Sequence, residues 1–167
     1  EMPANRENAR RALAAGLPVL VYPGGDHECF RPWTDRNRVD LAGRRGFIEL
    51  ALRHRVPVVP VVSHGGHHSI WILTRGEWLG RILGTERIRT RTFPLAWQFP
   101  WGLSPVGLPG VPLPAKIVTQ VGTPMPWGGY ASEAADDPMV VQRCYHEITG
   151  CMQSMLDRLA AEHPYPV

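Results

Sequence analysis

Lysine is nearly absent: Lys116 is the one lysine among 18 basic residues, so arginine carries the positive charge. There is no dense basic stripe interleaved with aromatics and no zinc-finger or RNA-binding signature, so nucleic acid is not an expected partner. Cysteine is scarce and odd in number. Cys29, Cys144 and Cys151 do not describe a disulfide framework, which favours a reducing compartment. No apolar run approaches the roughly 20 residues that a membrane-spanning helix requires, and neither a repeat nor a linker divides the chain. A start methionine is also missing. The sequence opens on Glu1 without a signal peptide, as a processed, trimmed or partial chain would.

What is present has the composition of an ordinary soluble protein, 44% hydrophobic and 20% charged, in 167 residues that suit one domain. Pro and Gly, 17 each, predict several long turns or irregular crossings. The net charge of +3 is modest. Guanidinium groups make forked contacts to phosphate and carboxylate, so a phosphate-bearing substrate or an anionic membrane surface is one reading of the arginine excess. A plain compositional preference for arginine is the other.

Asn5 to Ala15 reads as a short helix capped by Asn5 and stopped by Gly16. Pro18-Val-Leu-Val-Tyr22 is a continuous apolar run, the pattern of a strand buried on both faces, and breaks into Pro23-Gly24-Gly25. A second helix is expected over 43–55 with Phe47, Leu50 and Ala51 inward. Val56 to Val62 reads as a β-branched strand ending in the turn Ser63 to Gly66, and Ser69 to Leu73 as a third strand. This rhythm predicts an α/β domain with a mixed, largely parallel sheet flanked by helices. In such sheets ligands sit at the C-terminal strand ends, where both glycine turns are then expected.

A short amphipathic helix is expected over 77–83, followed by the basic stretch Arg87, Arg89 and Arg91. Together with Arg81 this is either a solvated face or a site for anionic groups. Residues 93–114 set Trp97, Phe99 and Trp101 among six prolines, a pattern expected to form neither a long helix nor a central strand. The segment reads as an irregular loop over the core or, because aromatics favour apolar–water boundaries, as an acyl-groove wall or membrane-resting surface. Residues 116–121 read as a strand. A final helix over about 138–162 places Val141, Cys144, Ile148, Cys151, Met155 and Leu159 on one core-facing stripe, with Asp136-Asp137 as its acidic cap.

The most informative segment is Val19-Leu-Val-Tyr-Pro-Gly-Gly-Asp-His-Glu28. A strand that breaks into Pro-Gly-Gly brings bare backbone close to a ligand, and polar side chains follow at once. Taken with Arg31-Pro32, Gly43-Arg-Arg-Gly-Phe47 and Val56-Pro-Val-Val-Pro-Val-Val62, this block resembles the third and fourth motifs of the lysophospholipid and glycerolipid acyltransferase superfamily. The Pro-Gly-Gly form is closer to the diacylglycerol acyltransferase type 2 side. Phe99-Pro-Trp-Gly102 and Leu113-Pro-Ala-Lys-Ile117 are similar to bacterial members. The resemblance covers about residues 3 to 125.

The resemblance implies transfer of a fatty acyl group from acyl-CoA or acyl carrier protein to a hydroxyl of a glycerolipid or lysophospholipid, as in phospholipid biosynthesis. It implies no metal or prosthetic cofactor, acyl-CoA being a co-substrate, and a place at the cytoplasmic face of a membrane as a peripheral protein. The family's catalyst is a His-x4-Asp pair upstream of the Pro-Gly-Gly turn, in which His removes the acceptor proton and Asp supports the imidazolium. None of the seven histidines here has Asp five positions later, and only 22 residues precede Pro23. The domain is therefore expected to be partial, its N-terminal portion missing. The alternative is a non-catalytic acyl-CoA- or lipid-binding module that lost the pair.

Carried over residue by residue, Pro23, Gly24 and Gly25 match the third-motif turn, and Asp26, His27, Glu28 and Arg31 are the polar candidates for shaping the acceptor site. Gly24 stands where many members have Glu and His27 near the usual Arg, which counts against a lysophosphatidic-acid type acceptor. Arg44, Gly46 and Phe47 are expected to hold the next helix to the sheet, and Pro57 and Pro60 to order the strand edge. Ser63-His-Gly-Gly-His-His68 reads best as a polar turn near the cleft. Its zinc reading lacks complementary ligands, and a hydrolase reading fails because Ser104 is not in Gly-x-Ser-x-Gly.

Overall fold

The computed structural model describes residues 5–76 and 93–164. The expected helix 77–83 and the arginines at 81, 87, 89 and 91 lie outside these. Helix α1 spans Arg6–Ala14. The Asn5 side chain accepts from the Asn8 N–H at 2.8 Å, and Gly16, at φ 72°, lets the Leu17 N–H close on the Ala12 carbonyl. Helix α2, Gly25–Cys29, opens straight from the Pro-Gly-Gly turn, and helix α3 spans Gly46–His54. Short helix α4, Gly66–Ser69, separates strand β1, Val61–His64, from β2, Trp71–Thr74. Strands β3, Leu95–Gln98, β4, Gly102–Pro105, and β5, Val118–Val121, then precede helix α5, Pro138–Glu162.

The sheets are antiparallel, not largely parallel. β1 pairs with β5, and β3 lies between β2 and β4. Two features mislead the sequence reading. Pro18 to Tyr22 forms no strand, and most of its side chains are open to solvent, with Leu20 73% and Tyr22 78% exposed and Val19 half-buried. The Gly24-Gly25 turn therefore does not close a strand end. In Val56 to Val62, Pro57 and Pro60 have no N–H to donate, so regular pairing starts only at Val61. Before it two carbonyls accept from the β5 side of the chain: Pro60 O from the Gly122 N–H at 2.8 Å and Val58 O from the Met125 N–H at 2.7 Å.

A central strand does form within 93–114, against expectation. Pro94 and Pro100 fall outside the four residues of β3, so every ladder donor it needs is present. Its inward row, Ile72, Ala96 and Ser104, is buried. Its outward row, Trp71, Trp97 and Leu103, faces solvent with the two indoles 6.0 Å apart.

The main core joins Ile48, Ala51 and Leu52 of α3 to Val141, Cys144 and Ile148 of α5 around Trp127, which is 1% exposed. Inward on α3 are Ile48, Ala51 and Leu52; Phe47 and Leu50 are only half-buried. Farther along α5, Met155 and Leu159 close on Val62 of β1, while Cys151 is half-buried between the two clusters. The Trp127 indole N–H donates to Glu147 at 3.2 Å, which satisfies its one polar atom inside the core. Asp137 caps α5 by accepting from the Met139 N–H, and Asp136 binds Arg53 of α3. No helix among the described residues is long and apolar enough to cross a membrane.

Gly65 ties the two halves of the β1–β5 pair together. It sits at φ 106°, and a Cβ there would stand 2.1 Å from the Lys116 carbonyl oxygen, a backbone atom that cannot swing aside. Next to it, a Cβ on Gly66 would meet open space. Gly65→Ala should therefore cost about 1–3 kcal/mol or more, read as a fall in urea midpoint, whereas Gly66→Ala should leave the midpoint nearly unchanged. Equal effects of the two substitutions would sink this account.

Candidate functional site

The site is built on the Pro-Gly-Gly turn. The Gly25 N–H closes the turn on the Tyr22 carbonyl at 3.1 Å, and Gly25 itself is left-handed at φ 50°. Gly24 is needed for a different reason. A Cβ there would lie 2.5 Å from Glu28 Cβ and 2.4 Å from its carboxylate, because α2 turns back over the glycine.

Arg44 clamps this turn. One of its guanidinium nitrogens donates to the Pro23 and Gly24 carbonyls at 3.1 and 3.0 Å, and the other to Asp26 at 2.9 Å. Arg44 was expected to hold α3 against the sheet; its guanidinium instead reaches back across the chain to the motif. The hydrogen bond from Arg44, opposed by some desolvation, holds the Asp26 carboxyl below the usual carboxylate range.

The other candidates are paired inside the same loop. The His27 ring meets Asp40 at 2.8 Å, and Asp40 also accepts the Ala42 N–H at 2.9 Å. These contacts, His27 first, lower the Asp40 carboxyl against its partial burial. Arg31, 4% exposed, donates to Glu28 at 2.8 Å and to the Arg36 carbonyl at 3.2 Å. It does not project into solvent toward an acceptor. Its job in this geometry is to hold the Glu28 carboxylate and the following loop.

The histidine turn lies against this loop. His67 on α4 is bonded by a backbone group of Glu28 and lies in the field of Arg31; burial first, then that charge, pushes its pKa down. His68 is likewise held toward neutrality by burial, then by Arg36 and His64. Its ring meets Trp33 edge-on at 6.2 Å and His64 at 5.7 Å. His64 is buried, and its Nε2 meets the His163 carbonyl at 3.0 Å. Among the described residues, no three His, Cys, Asp or Glu side chains are placed to hold a metal ion. Ser104 is buried in a bond to Gln98.

Six of the seven sequence candidates, Pro23 to Glu28, thus share one turn and helix, and Arg31 lies two residues past the helix, tied back to it through Glu28. Arg44, Asp40, His67 and His68 join them from 9 to 45 positions away in the chain, counting Arg31 to Asp40 and Pro23 to His68. Pairing at such separation leaves no mark in residue spacing.

These shifts set a stability profile with a definite sign. Neutral His67 and His68 resist protonation in the fold, so stability should begin to fall below about pH 6.5. Asp26 and Asp40 contribute fully above about pH 3.9 and lose that contribution as pH falls through their lowered folded values. Both carboxylates are more than a third exposed, so solvent screening keeps the second step small. Urea midpoints measured across pH should show both steps, and His67→Gln with His68→Gln should remove the first alone. A wild-type profile flat from pH 7 to 5 would contradict this arrangement.

The family profile described as diacylglycerol acyltransferase matches residues 2–135. An uncharacterized protein of Mycobacterium tuberculosis is 36% identical over 154 residues, 92% of this chain and 41% of the relative. Diacylglycerol O-acyltransferase 2 of Bos taurus is 28% identical over 135 residues, 74% of this chain and 36% of the relative. Acyl-CoA wax alcohol acyltransferase 2 of Homo sapiens is 29% identical over 119 residues, 66% of this chain and 34% of the relative. The chain thus spans about two fifths or less of the length of these relatives. No solved structure matches it. With the turn, the clamp and most of the chain inside the family's matched region, the chain belongs to the diacylglycerol acyltransferase family.

Proposed function

We propose that this chain forms the acceptor-side portion of an acyltransferase that moves a fatty acyl group from acyl-CoA, or acyl carrier protein, to a hydroxyl of a glycerolipid or lysophospholipid. The observation that carries the proposal is the Pro23-Gly24-Gly25 turn, fixed by Arg44 and overlain by Glu28, in a chain of this family. A turn without side chains allows a hydroxyl-bearing ligand to approach the backbone, and its rigidity is what positioning requires.

In this reaction the acceptor oxygen attacks the thioester carbonyl. A C–O bond forms, the C–S bond breaks, and the hydroxyl proton ends on the thiolate. The thioester supplies the activation, so no metal or prosthetic group is needed. The proton-accepting His-x4-Asp pair implied by the motifs is not carried by these 167 residues. Asp26, His27, Glu28 and Arg31 shape the wall of the acceptor site through the pairs described above. The Pro23-Gly24-Gly25 turn also fits a wider likeness to the lysophospholipid acyltransferase superfamily.

We place the protein peripherally at the cytoplasmic face of a membrane. The support is an outward row of Trp71, Trp97 and Leu103 on the three-stranded sheet, joined at one end by Phe99 and Trp101. Exposed aromatics of this kind suit the apolar–water boundary.

The test uses the product of the complete reading frame that encodes this chain, labelled oleoyl-CoA, and diacylglycerol or lysophospholipid in detergent. Labelled product is expected with at least one acceptor. Gly24→Ala, which forces Glu28 aside, should lower kcat/KM by about tenfold or more. Absence of product with every hydroxyl-bearing lipid, from protein that still binds the acyl donor, would favour a binding module and reject the enzyme.

A further inference from the structure

Two loops that the chain keeps apart, 31–37 and 64–68, meet at several buried, unsatisfied nitrogens. The Nε of Arg31, the Nε of Arg36, the indole nitrogen of Trp33 and the Nε2 atoms of His67 and His68 are all buried without a hydrogen-bond partner. Arg31 is itself almost wholly buried, and among the described residues the Glu28 carboxylate is its acidic partner. The Arg36 guanidinium lies 3.8 Å from the Trp33 ring centroid, and the ring of His68 meets the edge of Trp33. Buried donors normally find acceptors. Within these two loops the one carboxylate is the exposed Asp35, and Glu28 takes only one terminal nitrogen of Arg31.

We propose that Arg31, Arg36, His67 and His68 form a binding site for a phosphate ester, with Trp33 joining it to the apolar row of Trp71 and Trp97. A phosphate supplies several strong acceptor oxygens to the arginine forks and the Trp33 indole N–H, and its negative charge favours the imidazolium forms of His67 and His68, which then donate as well. All of these residues except Arg31 are partly exposed, so small rotations of Arg36, His67 and His68 present their nitrogens to an entering anion. Trp33 stands 6.0 Å from Trp71, which in turn stands 6.0 Å from Trp97, so an apolar or aromatic body attached to the phosphate has a surface to lie on. That chemistry is shared by the phosphates of coenzyme A and by a phospholipid headgroup. The choice between them rests on the acyltransferase reading above; the phosphate site does not.

The experiment uses the product of the complete reading frame that encodes this chain and follows the His67 and His68 ring resonances and the Trp33 indole resonance by NMR. The probes are inorganic phosphate, coenzyme A, and phosphatidylcholine vesicles with and without phosphatidic acid. Saturable shifts at these three residues are expected with phosphate. Paired His67→Gln and His68→Gln substitutions should weaken phosphate binding by about tenfold or more. Arg36→Gln, a change at a half-exposed position, repeats the test if the histidine variant fails to fold, and Arg53→Gln on the far side of α3 should bind as wild type does. Coenzyme A that competes with phosphate assigns the site to the acyl donor, and vesicle binding that requires phosphatidic acid assigns it to a headgroup. The proposal is overturned if no probe shifts these resonances saturably, or if a folded histidine or Arg36 variant keeps wild-type affinity. Acyl transfer that persists in such a variant rejects this site alone, whereas phosphate binding without any acyl transfer rejects only the enzymatic reading.

Discussion

One face of α5 is the constraint on which the other elements close. Its 25 residues run past both apolar clusters, so the same helix packs α3 and Trp127 at one end and β1 at the other. A two-stranded ribbon such as β1–β5 is marginal alone. Met155 and Leu159 supply the apolar cover that lets Val62 and its ladder persist. The ribbon in turn fixes Gly65 and so the place where α4 presents its histidines. The candidate site has no comparable apolar foundation. It is held by charge-assisted bonds, Arg44 to the turn carbonyls and Arg31 to Glu28, that set geometry more than they add stability.

Local chemistry was legible in the sequence wherever one residue decides the outcome. Asn5 and Asp137 cap as their types suggest, Gly16 ends α1, and the apolar stripe of α5 has helical spacing over the length of the helix. Strand direction was not legible, because an apolar β-branched run is the same whether its neighbour is parallel or antiparallel. The Val-Pro-Val-Val-Pro stretch misled further, since Pro57 and Pro60 each remove a ladder donor. Residues 93–114 misled in the opposite sense: Pro94 and Pro100 bracket β3 rather than interrupt it.

The motif turn was legible as a unit, and its partners were not. Nothing in Gly43-Arg-Arg-Gly-Phe47 says that the first arginine reaches back to Pro23 rather than out from α3. Nor does Ser63-His-Gly-Gly-His-His68 announce that His67 will rest against Glu28. Such contacts belong to tertiary structure, where two polar turns share one place because both project from packed elements. The consequence is a site in which each side chain already has a partner, except for the nitrogens of the arginine and histidine cluster.

The close approach of Gly65 to Lys116 has a practical side. Lys116 carries the single side-chain amine of the chain, and it is exposed where β5 begins, with its carbonyl against the histidine turn. An amine-reactive dye or cross-linker therefore finds one side-chain address on this chain, and that address is a backbone contact away from Gly65. A spectroscopic ruler can be mounted there without introducing a cysteine, and a lysine-specific protease has one internal bond to cut.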